Sequence, residues 1–233
     1  MSERIQIASR DGGQFAGYLA RPKSGKGPGV IVIQEIFGIN ANVRAVADRL
    51  ADEGFVALAP DLFWRQEPGV DLNSQTEEGW KRAMELYQGF DVDKGIEDLI
   101  ATLDHLRKLD GVNGKVGCQG YCLGGLLAYL MATRSDIDAA IGYYGVGIDG
   151  KLDEAKNIRK PLMLHIAQAD AFVDATAQKK IHDALDGNPN VTIHDYPGMD
   201  HAFTRLNGQH YNKEAADLAN GRSLDFLRKH LGA

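Results

Sequence analysis

The sequence predicts a mostly parallel β-sheet with helices on both faces, entered through an antiparallel N-terminal hairpin. Three observations carry this. Short apolar runs alternate with segments whose apolar residues recur at helical spacing, the order that builds a parallel sheet. The central runs are continuously apolar, as strands buried on both faces require. The first two apolar segments flank an Asp11-Gly12-Gly13 turn, the chemistry of a hairpin.

In order, "RIQIAS" and "FAGYLAR" are the hairpin strands, and "KSGKGPG" is a loop. "VIVIQE" is a central strand, rich in β-branched residues. Val43, Val46, Ala47 and Leu50 then mark a helix, with Gly54 placed to cap its end. "FVALAP" is the next strand, and Ile96, Leu99, Ile100, Leu103 and Leu106 trace a second amphipathic helix. The strand "KVGCQG" leads into a helix from Cys122, followed by "DAAIGYYG". "KPLMLHIA" and "VTIHDYP" are the last strands, and Leu218, Leu224, Leu227 and Leu231 mark the closing helix. The segment from Pro60 to Gln88, with Trp64 and Trp80, reads as long and irregular, the kind that rims a binding site. No repeat or linker interrupts the chain, so one domain spanning 1–233 is expected.

At 233 residues, 44% hydrophobic and 25% charged, the composition is that of an ordinary globular protein. A net charge of −6 argues against nucleic acid as a partner, while leaving room for a local positive pocket. No apolar run reaches membrane-spanning length, and "MSERIQIASR" lacks the apolar core of a secretory signal. With two cysteines only, a disulfide scaffold is excluded and a reducing cytoplasm is the expected setting. The histidines lack the close pairing of a zinc site, and no phosphate loop or dinucleotide fingerprint occurs. No metal and no cofactor are expected.

Gly120-Tyr121-Cys122-Leu123-Gly124 has the Gly-x-nucleophile-x-Gly form. In a strand–turn–helix setting this turn exposes its central side chain, and the glycines permit close strand–helix approach. The positive end of the following helix favours a thiolate at Cys122. The N–H of Leu123 can supply half of an oxyanion hole. A buried structural cysteine is the bland alternative. Cys118 is read as packing, because along an extended strand its Cα lies on the order of 10 Å from that of Cys122, whereas a disulfide needs about 7 Å or less.

In such sheets an acid and then a histidine follow the nucleophile, each at the end of a later strand. Asp170 and His201 stand where that order requires, His201 to handle the sulfur's proton and Asp170 to orient the ring. Asp174 is the rival acid, although a carboxylate at the start of a helix has an ordinary structural use. Among the other histidines, His165 and His194 fall in strands, His105, His182 and His230 on helices, and His210 in a loop. Glu35 is a charged residue at the end of an otherwise apolar strand, beside the N–H of Ile36, the second candidate oxyanion donor. Either it has already turned toward solvent, or it reaches the cysteine. A thiol of pKa about 8.5 can yield its proton to a carboxylate far more readily than a serine hydroxyl can.

"QEIFGIN", "GYCLGG", "GYYGVG" and "HAFTR", in this order, closely resemble the dienelactone hydrolases (carboxymethylenebutenolidases), and the resemblance runs over nearly the whole chain. It implies an α/β-hydrolase fold, a Cys-His-Asp triad on Cys122, His201 and Asp170, and an activating glutamate at Glu35. It further implies oxyanion donors at Ile36 and Leu123, a substrate-facing Tyr143, and an Arg205 that binds the substrate carboxylate and pairs with Glu35 at rest. A second carboxylate-binding arginine of the family aligns with Trp80, with Lys81 and Arg82 adjacent as candidate substitutes. The implied activity is opening of a carboxylate-bearing lactone, dienelactone to maleylacetate, in the degradation of aromatics. The expected partner is a small anionic molecule, with neither nucleic acid nor membrane. The alternatives are an esterase with another substrate, its rim rebuilt around Trp80, or a non-catalytic binding protein on the same fold.

Overall fold

The computed structural model describes residues 2–232. Strands β1 (Ser2–Ala8) and β2 (Gln14–Ala20) form the hairpin, followed by β3 (Gly27–Ile33), helix α1 (Ala41–Asp52) and β4 (Val56–Pro60). Helices α2 (Glu77–Gln88) and α3 (Val92–Lys108) precede β5 (Val112–Tyr121), α4 (Leu123–Arg134) and β6 (Ala139–Tyr143). The chain closes with β7 (Leu162–Ala167), α5 (Ala175–Leu185), β8 (Val191–Tyr196) and α6 (Lys213–Leu231). The eight strands make one sheet in the order β1-β2-β4-β3-β5-β6-β7-β8. β2 is antiparallel to both neighbours, and every pairing from β4 to β8 is parallel.

The continuous apolar runs are explained by two cores. Along β3, Ile31 and Ile33 point into one core with residues of α3 and α4, while Val30 and Val32 point into the other with residues of α1 and α6. Val56 and Leu58 against Ala57 and Ala59 repeat the division on β4. Neither face meets water, so both phases of the strand must be apolar. α4 is buried from Leu123 to Thr133, which is why it is apolar all round rather than striped.

The helix ends follow from local chemistry. Asn40 accepts from the N–H of Val43 at 3.1 Å to start α1, and Gly54 past its end takes φ +99°. The Pro60–Gln88 segment departs from the sequence reading, because its last twelve residues are helix α2. Thr76 caps that helix by accepting from the N–H of Gly79 at 3.1 Å, and Ala83 and Leu86 are buried beneath it. Trp80, Ala83, Met84 and Tyr87 recur there at helical spacing, a period that the reading of the segment as irregular passed over. Among the described residues, no helix is long and apolar enough to cross a membrane.

Candidate active site

β5 ends at Tyr121 and α4 starts at Leu123, leaving Cys122 alone to turn the chain at φ 57°, ψ −114°. For a residue with a side chain, that conformation costs on the order of 1–3 kcal/mol. The surroundings impose it. The Cys122 N–H donates to the carbonyl of Tyr143 at 3.1 Å, and its own carbonyl accepts from Gly125 at 2.9 Å. Among the described residues, the other side-chain-bearing residues at positive φ are Tyr144, Ala202 and Asn207. Tyr144 packs on His201, Ala202 follows it, and Asn207 lines the same cleft.

The glycines are required by contact. A Cβ on Gly120 would lie 1.9 Å from the carbonyl oxygen of Gly124. A Cβ on Gly124 would lie 2.5 Å from that of Ile33 and 2.6 Å from that of Gln34. These are backbone atoms at the end of β3 and cannot rotate away. Gly124→Ala should therefore destabilise the fold by about 3 kcal/mol, read as a lower urea midpoint at unchanged slope. An unchanged midpoint would show that α4 can slide off β3 without cost.

Asp170 follows β7 and His201 follows β8, so both stand with Cys122 at the C-terminal edge of the sheet. His201 Nδ1 lies 2.7 Å from Asp170 Oδ2. The other carboxylate oxygen of Asp170 accepts from the N–H groups of Phe172 at 2.8 Å and Val173 at 3.3 Å, which fixes its plane. Burial works against a charged ring at His201. Its hydrogen bonds to Asp170 and Cys122 outweigh burial and raise the imidazole to about 10. A cysteine beside an imidazole that a carboxylate orients is chemically competent for acyl transfer. Asp174 caps α5 by accepting from Ala177 at 2.9 Å, a structural use.

Glu35 follows β3 and is 1% exposed; Arg205 is 7% exposed. They form a two-pronged pair, Arg205 Nε to Glu35 Oε2 at 2.9 Å and Nη2 to Oε1 at 2.8 Å. Of the two readings of Glu35, solvent exposure is thereby set aside. Burial opposes the charge on Arg205, yet Glu35 holds the guanidinium firmly protonated. Ile36 is the next residue in the chain, and in the first turn of α4 the N–H of Leu123 has no intrahelical acceptor. Gln34 steadies this loop by accepting from the N–H of Leu62 at 3.2 Å.

A cleft of about 750 Å³ opens over His201 and Arg205, with Trp80 and Phe172 in its walls. Two expectations are corrected. Tyr143 does not face substrate: it is wholly buried, and its hydroxyl meets Ser223 Oγ at 2.6 Å on α6. As the last residue of β6 it lies in the core with α1 and α6, its ring stacked between those of Tyr121 and His165. Arg82 also points elsewhere. Two residues on from Trp80 it lies on another face of α2, bound to Glu67 and to Glu85 at 2.8 Å, and with Lys81 it lines a separate groove.

Three residues that the sequence reading passed over stand at the site instead. The Tyr144 ring meets the His201 ring at 5.0 Å, and its hydroxyl bonds Thr204 Oγ1 at 2.8 Å. Phe172 meets His201 from another side at 4.8 Å. Tyr87, two turns along α2 from Trp80, has its phenol pushed up first by burial and then by the charge of Cys122. Of these, the helical spacing of Tyr87 from Trp80 was visible in the sequence; the two loop positions carry no periodicity to find. Among the described residues, no group of three His, Cys, Asp or Glu side chains is placed to hold a metal ion.

Comparison with known proteins agrees with this architecture. The model of the dienelactone hydrolase family matches residues 15–231. An Azospirillum brasilense protein, provisionally named a carboxymethylenebutenolidase, is 48% identical over 98% of this chain and 99% of its own length. The carboxymethylenebutenolidase of Pseudomonas putida is 40% identical over 97% of this chain and 96% of its own. A crystal structure from Klebsiella pneumoniae, provisionally named a dienelactone hydrolase, superposes with TM-score 0.87 over 98% of each chain at 27% identity. A family match over nearly the full length, on an α/β-hydrolase sheet, makes this chain a hydrolase belonging to the dienelactone hydrolase family.

Proposed function

We propose that this hydrolase opens a carboxylate-bearing lactone or ester through a cysteine nucleophile, with dienelactone to maleylacetate as the reaction it performs. The observation that carries the reading is the adjacency of two devices. One is the line of Cys122, His201 and Asp170, and the other is the buried Glu35–Arg205 pair at the same strand ends. The carboxymethylenebutenolidase name of the Pseudomonas putida relative supports the same substrate.

The substrate carboxylate meets Arg205 and competes with Glu35 for it. The released Glu35 takes the proton of the Cys122 thiol, and the sulfur attacks the acyl carbon. The N–H groups of Ile36 and Leu123 hold the oxyanion. Collapse breaks the ring C–O bond, and the departing enolate takes the proton of the His201 imidazolium to become the ketone. Acylation removes the sulfur's negative charge from beside His201, which lowers the proton affinity of the ring. The neutral ring then takes a proton from water, whose oxygen attacks the thioester. The acid leaves, and the thiolate recovers a proton from Glu35.

The test is the loss of dienelactone's ultraviolet absorbance on adding purified protein, with Cys122→Ala as the blank. Turnover that vanishes in the variant is the expected result. Cleavage of neutral aryl esters with no turnover of dienelactone would shift the reading to an esterase, and failure of a thiol-directed reagent to label Cys122 would favour a binding protein.

A further inference from the structure

The cleft is short of positive charge and well supplied with aromatic surface. Among the described residues that line it, Arg205 is the one arginine or lysine, and Glu77 and Asp200 are the acids. His210 lies there too, with Nδ1 3.3 Å from Asp200 Oδ2. The two prongs of Arg205 that hold Glu35 are Nε and Nη2, so Nη1 lies outside that fork and can meet a carboxylate. Lys81 and Arg82 belong to the neighbouring groove. One carboxylate can be held at Arg205, and a second would meet no further arginine or lysine among the described lining residues.

The walls are of another character. Trp80 spends its indole N–H on the carbonyl of Ser74 at 2.7 Å, so what it has left to offer the cleft is carbon. It meets Phe37 edge-to-face at 5.0 Å, and the Arg205 guanidinium lies over that same Phe37 ring at 5.1 Å. Phe172 is 58% exposed, an unusual position for a phenylalanine, yet its backbone is pinned by Asp170 and its ring rests on His201. Rigid apolar surface therefore borders both the charge anchor and the reacting centre. A cleft of about 750 Å³ lies within the roughly 300–1,000 Å³ that encloses drug-sized ligands. A single small lactone ring would leave much of it to water.

Resting on the proposed hydrolysis of dienelactone, we infer that the same cleft also takes, and prefers, a larger monocarboxylate whose lactone or ester carries an aromatic or similarly broad apolar group, seated against Phe172 and Trp80. Arg205 fixes the charge, and the two rings select what is attached to it. Phe172 and Trp80 are specificity residues and take no part in proton transfer.

Binding decides this independently of turnover. In full-length Cys122→Ala, titration calorimetry with 4-phenylbutanoate, butanoate and 4-phenylbutan-1-ol compares the ring and the charge separately. The phenyl acid should bind at least about tenfold more tightly than butanoate, from two aromatic contacts, and more tightly than the alcohol. Adding Phe172→Ala, an exposed position that the fold tolerates, should cut the ring preference about threefold, as should Trp80→Leu. Because each result is a ratio within one protein, loss of folded fraction cancels. Dissociation constants for the two acids within twofold of each other overturn the inference, as does undetectable binding of 4-phenylbutanoate at millimolar concentration. With wild-type protein, the same comparison is made between dienelactone and a phenyl-substituted dienelactone. Equal hydrolysis of both, dependent on Cys122, removes the inference and keeps the proposed function. Hydrolysis of neither removes the proposed function, and the binding ratio still decides the inference.

Discussion

Cys122→Ser should lose nearly as much activity as Cys122→Ala, with kcat/KM on a carboxylate-bearing lactone falling by about 10⁴-fold or more in both. For alanine the reason is plain, since nothing remains to attack. For serine it is a matter of proton affinity. The elbow would hold a serine in the same strained turn, with His201 and Asp170 still in place at 2.7 Å. What is lost is a nucleophile that a carboxylate can deprotonate: a thiol of pKa about 8.5 lies within reach of Glu35, and an aliphatic hydroxyl does not. Steady-state kinetics on dienelactone and on a neutral aryl ester, with thermal unfolding as the control for folding, make the check. A serine variant retaining a tenth of wild-type activity would show that His201 alone supplies the base and that Glu35 has no part in activation.

The sequence made some of this legible and hid the rest for physical reasons. β3 could be read because burial on both faces forbids polar residues at either phase, and Val30 to Ile33 obey that rule. Cys122, Asp170 and His201 could be placed because a parallel sheet delivers every βα loop to one edge. Chain order then decides which loop holds which group. The adjacent tyrosines were harder. Tyr143 and Tyr144 share one core, their rings 6.0 Å apart, so strand alternation does not tell which of them meets the histidine. Tyr143 stays in register with Tyr121 and His165, whereas Tyr144, at φ 38°, turns to His201. Arg82 failed for a helical reason, since two residues in a helix rotate a side chain by about 200°. Phe172 belongs to a loop whose shape comes from hydrogen bonds to Asp170, which no spacing in the sequence records.

Removing Arg205 alone should destabilise the protein by about 3–5 kcal/mol, and removing Glu35 with it should recover most of that loss. Arg205→Met keeps much of the side-chain volume against Phe37 but leaves Glu35, 1% exposed, without its partner. Glu35→Gln/Arg205→Met takes away both charges and should unfold in urea within about 1 kcal/mol of wild type, giving a coupling on the order of 3 kcal/mol. Additive losses across the four proteins would mean that the two side chains are held separately and that their 2.8 and 2.9 Å contacts carry no coupling. The size of the recovery bears on function. A buried ion pair is often no more stabilising than the apolar pair that could replace it, so stability gives this fold little reason to keep Glu35 and Arg205. A carboxylate exchange gives it one: an incoming acid can take the arginine only if the arginine is already charged, desolvated and aimed. The double variant should then be stable and well folded, yet hydrolyse carboxylate-bearing and neutral substrates at similar, low rates. If it still preferred the carboxylate by tenfold, the anchor would lie elsewhere in the cleft and the exchange at Arg205 would be wrong.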